Sequence, residues 1–186
     1  MARMNPLPSP SDSPPAPPLR MLVMGVAGSG KSQLARALAE ALRADFIEGD
    51  AHHPEANRLK MQQGQPLNDA DRAPWLQTLG HLLAQASGPV VLACSALKAD
   101  HRESLRAQAP GLVTVYLSID RAMARQRVQD RPGHWFPAAL VDSQFEALQA
   151  PLHEPHVITL PASWPTERQV AGVLSARPPH SAPEAR

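Results

Sequence analysis

The residues Gly25-Val26-Ala27-Gly28-Ser29-Gly30-Lys31-Ser32 have the types and spacing of a phosphate-binding loop. Glycines let successive backbone N–H groups turn inward around phosphate oxygens. The lysine reaches the β- and γ-phosphates, and the hydroxyl of Ser32 suits a Mg²⁺ ligand. A helix that starts where the loop ends aims the positive end of its dipole at the same anion. The chemistry implied is the binding of a nucleoside triphosphate.

Further along, Glu48-Gly49-Asp50 closes a short apolar run, at the carboxyl end where α/β sheets put their ligands. Asp50 there can accept a hydrogen bond from a substrate hydroxyl, hold a water on Mg²⁺, or simply cap a helix beginning at Pro54. Arg127 and Arg131 stand four apart on one helical face and precede Pro132-Gly133-His134-Trp135, a breaker able to form a short hinged lid. Two arginines arriving over a γ-phosphate would stabilise the charge spreading over it; a solvated basic face is the plainer alternative. Trp135 packs the lid or lies near adenine. The adjacent His52 and His53 do not read as a zinc site, since neighbouring positions rarely converge on one ion. Cys94, at the end of an apolar run, reads as structural.

The elements that must carry these residues are legible as alternating periods. Strands are predicted at Met21–Gly25, Asp45–Glu48, Pro89–Cys94, Leu112–Ser118 and His156–Leu160, with Val90-Val91-Leu92-Ala93 buried on both faces. Helical spacing follows the phosphate loop through Leu34, Leu38 and Leu42. It recurs at Trp75, Leu76, Leu79, Leu82 and Leu83, with Asp69 or Asp71 as cap. Helices are also predicted over Lys98–Gln108, Asp120–Gln129, Pro137–Leu148 and Pro165–Ala176. This alternation predicts an α/β fold: a phosphate-loop NTPase-type parallel sheet flanked by helices, resembling the nucleoside monophosphate kinases with a short lid.

The chain has 186 residues, a formal net charge of +1 and one cysteine. That length fits one domain, the balanced charge marks no nucleic-acid or membrane surface, and a lone cysteine fits a reducing, cytoplasmic compartment. Residues 1–18 are rich in Pro and Ser without the apolar core of a secretory signal and read as a disordered extension, as does the tail 177–186. The folded domain is expected over 19–176. No Asn-Lys-x-Asp guanine-reading motif occurs, and the Val90–Ala93 run ends in Cys94-Ser95 instead of the acidic motif of large ATPases. A small-metabolite kinase is favoured over a nucleotide-dependent switch or binding protein.

Beyond the loop, the ordered blocks resemble the gluconokinases of the small phosphate-loop, shikimate-kinase-like type. These blocks are Gly49-Asp50 with His53-Pro54, Asn57 and Lys60-Met61; Gly64 to Arg72 with Pro74-Trp75-Leu76; Cys94-Ser95-Ala96-Leu97-Lys98 with Arg102; Arg131 with Gly133-His134; and Gln144-Phe145-Glu146 with Leu148 and Pro151. The likeness spans about Leu22 to Leu160. His101 stands where such proteins often carry Tyr, and Arg58 is not assigned to substrate. The resemblance implies ATP- and Mg²⁺-dependent phosphorylation of the 6-hydroxyl of D-gluconate, and a homodimer. Shikimate or another sugar acid is the rival substrate. Catalysis is expected of Lys31, Asp50, Arg127 and Arg131, and magnesium binding of Ser32 and, through water, Asp50. Substrate would be bound by Asp50, His53, Lys60, Asp71, Arg72, Ser95, Lys98, Arg102 and His134. A guanidinium can grip a carboxylate with two parallel bonds, so Arg102 and Arg72 are the expected holders of the substrate's acid group.

Overall fold

The computed structural model describes residues 17–130 and 140–176. Most of the Pro-rich extension, the tail, and Arg131, His134 and Trp135 of the expected lid lie outside them. The elements run β1 (Arg20–Met24), α1 (Lys31–Leu42), β2 (Asp45–Glu48), a 3-10 turn (Gly49–His52), α2 (Glu55–Gln62) and α3 (Asp69–Gln85). They continue through β3 (Val90–Ala93), α4 (Ala99–Gln108), β4 (Val113–Ser118), α5 (Arg121–Gln129), α6 (Leu140–Ala147), β5 (Val157–Pro161) and α7 (Thr166–Ala176). The five strands form one sheet in the order β2-β3-β1-β4-β5, each neighbouring pair parallel.

The period of two along the strands sorts side chains onto two cores. Met21 and Val23 of β1, Val91 and Ala93 of β3, and Val113, Val115 and Leu117 of β4 face α1 and α7, against Leu34, Leu38 and Val173. The alternate residues Leu22, Met24, Val90, Leu92 and Tyr116 face α3 and α4, against Trp75, Leu79, Leu83 and Leu105. Each such fully buried side chain contributes about 1.5–3 kcal/mol, so both layers are driven by apolar area. Among the described residues no helix is long and apolar enough to cross a membrane.

Where the observed ends differ from the predicted ones, local backbone explains it. β5 starts at Val157 because His156 sits at φ +57°, outside the extended region. β4 starts at Val113 because Leu112 still belongs to the turn, its N–H donating to Ala109 O. The cap of α3 is Asn68, not Asp69 or Asp71. Asn68 Oδ1 accepts from Asp71 N at 2.8 Å and Asp71 Oδ2 accepts from Asn68 N at 3.0 Å, a reciprocal capping box. Asp50 does not cap α2, whose N-cap position is Pro54 with no side-chain bond.

Candidate active site

All the strands point their carboxyl ends to one edge of the sheet, and the loops leaving that edge build the site. The phosphate loop leaves β1 and enters α1, with Gly30 at the N-cap in left-handed conformation and Lys31 and Ser32 half-buried in the first turn. Gly28 has φ +80°, and a Cβ there would meet Ala124 O of α5 at 2.6 Å, so only glycine lets the loop lie against that helix. Gly49 is held for a related reason: a Cβ would stand 2.5 Å from Ala93 O, and the turn carrying Asp50 could not close onto β3.

A cavity of about 670 Å³ opens over the phosphate loop, walled by Gly28–Gln33 on one side and by the loop Ala162–Pro165 after β5 on the other. Arg127 spans its mouth, donating to Gly28 O at 3.4 Å and to Ala162 O at 3.1 Å. Trp164 lines the same cavity, with the Arg168 guanidinium 4.0 Å from its ring centroid. The 162–165 loop was not singled out in the sequence. Its signal was available, since it too follows the carboxyl end of a strand; Trp135, read first as lid packing, was the aromatic residue weighed for a place near adenine.

On the other side of the loop, the turn bearing Asp50 leaves β2 and the buried Cys94 leaves β3, adjacent parallel strands of the same edge. Burial, and next the Asp50 carboxylate, push the Cys94 thiol up to about 12, while Lys31 and Arg72 pull the other way. Cys94 is thus buried and inert at this edge of the sheet. Ser95 follows it, half-buried. His53 is also buried. It is 7% exposed and stacked on Trp75 with ring centroids 3.9 Å apart, and its Nδ1 lies 3.4 Å from Asn57 Nδ2. Desolvation lowers its pKa to about 4 against the opposing pull of Asp50, so the ring is neutral near pH 7. Trp75 in turn donates from Nε1 to Gly49 O at 2.8 Å, fixing the turn that bears Asp50. Instead of standing free to meet the acceptor, His53 supports that turn from below.

The cations nominated for the acceptor are not equivalent. Arg102 is 1% exposed, and its guanidinium is fully occupied. Nε donates to Glu154, Nη1 to Ala96 O at 2.9 Å and Leu97 O at 3.0 Å, and Nη2 to Gln149 O at 2.8 Å and to Glu154. No donor is left for a substrate carboxylate, which corrects the expectation drawn from its type and position. Lys60 is paired with Asp71 at 2.7 Å, and Lys98 with both oxygens of Asp69 at 2.7 Å. Asp71, engaged by Lys60 and by the Asn68 amide, organises the start of α3, a correction to its placement among substrate ligands. Arg72 remains: half-buried, donating once to Leu67 O at 2.6 Å, and in no ion pair among the described residues. Desolvation lowers its pKa, and Asp69 and Asp71 oppose that shift.

With this geometry in place, comparison with known proteins is specific. The AAA domain family model matches residues 21–155. The chain is 40% identical over 157 residues to the thermoresistant gluconokinase of Escherichia coli K12, covering 82% of this chain and 90% of that one. It is 44% identical over 144 residues to a gluconokinase of Gluconobacter oxydans, covering 76% and 81%. The crystal structure of a gluconokinase from Sinorhizobium meliloti superposes with a TM-score of 0.78 at 43% identity, over 85% of this chain and 90% of that chain. A phosphate loop on a parallel sheet, with identity of this order over most of both chains, makes the chain a member of the gluconokinase family of phosphate-loop kinases.

Proposed function

We propose that the protein transfers the γ-phosphoryl group of ATP to the 6-hydroxyl of D-gluconate, giving 6-phosphogluconate and ADP. The observation that carries this reading is that the phosphate loop after β1, the Asp50 turn after β2 and Cys94-Ser95 after β3 leave one edge of three adjacent parallel strands, in a chain 40% identical to a gluconokinase. In this reading the loop amides and Lys31 neutralise the β- and γ-phosphates. Asp50 accepts a hydrogen bond from the attacking hydroxyl and orients it in line. Arg72 grips the gluconate carboxylate, with Ser95 and the paired Lys98 and Lys60 bordering the polyol. Arg127 closes the nucleotide side, and Arg131 and His134, outside the described residues, keep their expected roles over the γ-phosphate and substrate.

The donor set suits magnesium: a hydroxyl at Ser32 and a carboxylate at Asp50 are hard oxygen ligands, few in number, as for an ion that keeps several waters. Bound there with ATP, Mg²⁺ would supply neutralisation of the charge developing on the bridging oxygens. The reading also makes the protein a cytoplasmic enzyme acting on a free small acid, and by family likeness a homodimer.

The test is ADP release measured across gluconate, other aldonates and shikimate. Gluconate should be the preferred acceptor. Arg72→Met should raise KM for gluconate about tenfold to a hundredfold, the worth of a charge-assisted bond, and leave KM for ATP nearly unchanged. ATP turnover indifferent to every sugar acid would overturn the proposal.

A further inference from the structure

The Gln144-Phe145-Glu146 block has no part in the chemistry above, yet Gln144 makes a contact far along the chain. Its Oε1 accepts the backbone N–H of Ala27 at 2.6 Å. Ala27 is at the crown of the phosphate loop, immediately before Gly28, whose carbonyl is taken by Arg127. Side chains from α5 and α6 therefore hold consecutive residues of the crown. Beneath them Val26 and Ala27 pack in one small apolar cluster with Ala124 and Val128 of α5, Val141 of α6, and Leu97 of the loop after β3.

The chain leaving α6 reaches that same loop. Gln149 N donates to Leu97 O at 2.9 Å, and Gln149 Oε1 accepts from Ala99 N at 2.7 Å. Ala96, between them and Ser95, is held at φ +39° with its carbonyl on Arg102. A single stretch, 144–149, therefore bonds to the triphosphate loop at one end, through Gln144, and to the loop after β3 at the other, through Gln149. We propose that Gln144 is a positioning residue for phosphoryl transfer, whose bond to Ala27 keeps the phosphate loop in register with the loop after β3.

The inference rests on the kinase reading. In-line transfer depends on placing two reactants within tenths of an ångström, so a slack crown costs rate more than affinity. Three proteins test it: wild type, Gln144→Met, which keeps length but has no comparable acceptor, and Gln144→Glu, which keeps the acceptor and adds charge. Each is assayed for kcat and KM and for amide hydrogen exchange of the phosphate-loop peptide, with and without a non-hydrolysable ATP analogue. Gln144→Met should lower kcat about tenfold and speed exchange in the loop, while both KM values stay within about threefold. Gln144→Glu should retain the slow exchange and most of kcat, and raise KM for ATP. Unchanged exchange in Gln144→Met, a loss carried by KM alone, or equal kcat losses in both variants would overturn the inference. Wild type inactive toward gluconate would count against the kinase reading instead, and the exchange measurement would still decide for or against Gln144.

Discussion

His53 lies flat on Trp75 with its pKa held near 4, below the usual imidazole value, so its unfolded form binds more protons across the interval between. The stability this confers is complete above about pH 6.5 and is lost as pH falls toward 4. We expect His53→Gln to flatten the fall of unfolding free energy over that window. His101, whose pKa burial also lowers, should account for part of what remains. Urea titrations at several pH values measure the slopes; unaltered slopes would rule the account out. Residues of this kind show the limit of reading by type. Lys31, Asp50 and Arg72 could be nominated from motif position alone, and the charge of all three is felt at the Cys94 thiol. Arg102 could not be told from them, because what takes it out of the site is Glu154, 52 positions away, and the carbonyls of Ala96, Leu97 and Gln149, whose backbone direction no motif discloses.

Among the elements, the strands were legible almost to their ends, and β3 most plainly, since a run buried on both faces shows itself in composition. Loops after them were not, because their shape depends on tertiary partners: the 162–165 loop gains meaning only from facing the phosphate loop. Two elements offer clean tests. Asn68→Ala removes half of the capping box of α3 and should cost about 1 kcal/mol. Glu154→Ala leaves the Arg102 guanidinium buried without its countercharge, and should cost about 3–5 kcal/mol, far above the value for an exposed pair. Chemical denaturation of both variants checks the order. A Glu154→Ala loss below that of Asn68→Ala would show that the pair is replaceable by water.

For the molecule as a whole, ligand and fold share one free energy. Nucleotide at about a hundred times its Kd should add about 2.7 kcal/mol, which for a chain of this length raises Tm by about 5–10 °C. Lys31→Met should abolish most of that shift while leaving the apo Tm within a few degrees, because Lys31 is half-buried at a helix start and outside both cores. A full shift in the variant would deny the lysine its part in holding phosphate.

The sheet order carries one more consequence. β1 is made early in synthesis and stands in the centre, yet its two neighbours begin only at Val90 and Val113. As the ribosome feeds out the chain, Met21-Leu22-Val23-Met24 has no neighbouring strand until Val90–Ala93 of β3 has emerged. During that delay an uncovered oily ribbon is open to wrong pairing, and a chaperone holding it would shield the strand that leads into the phosphate loop.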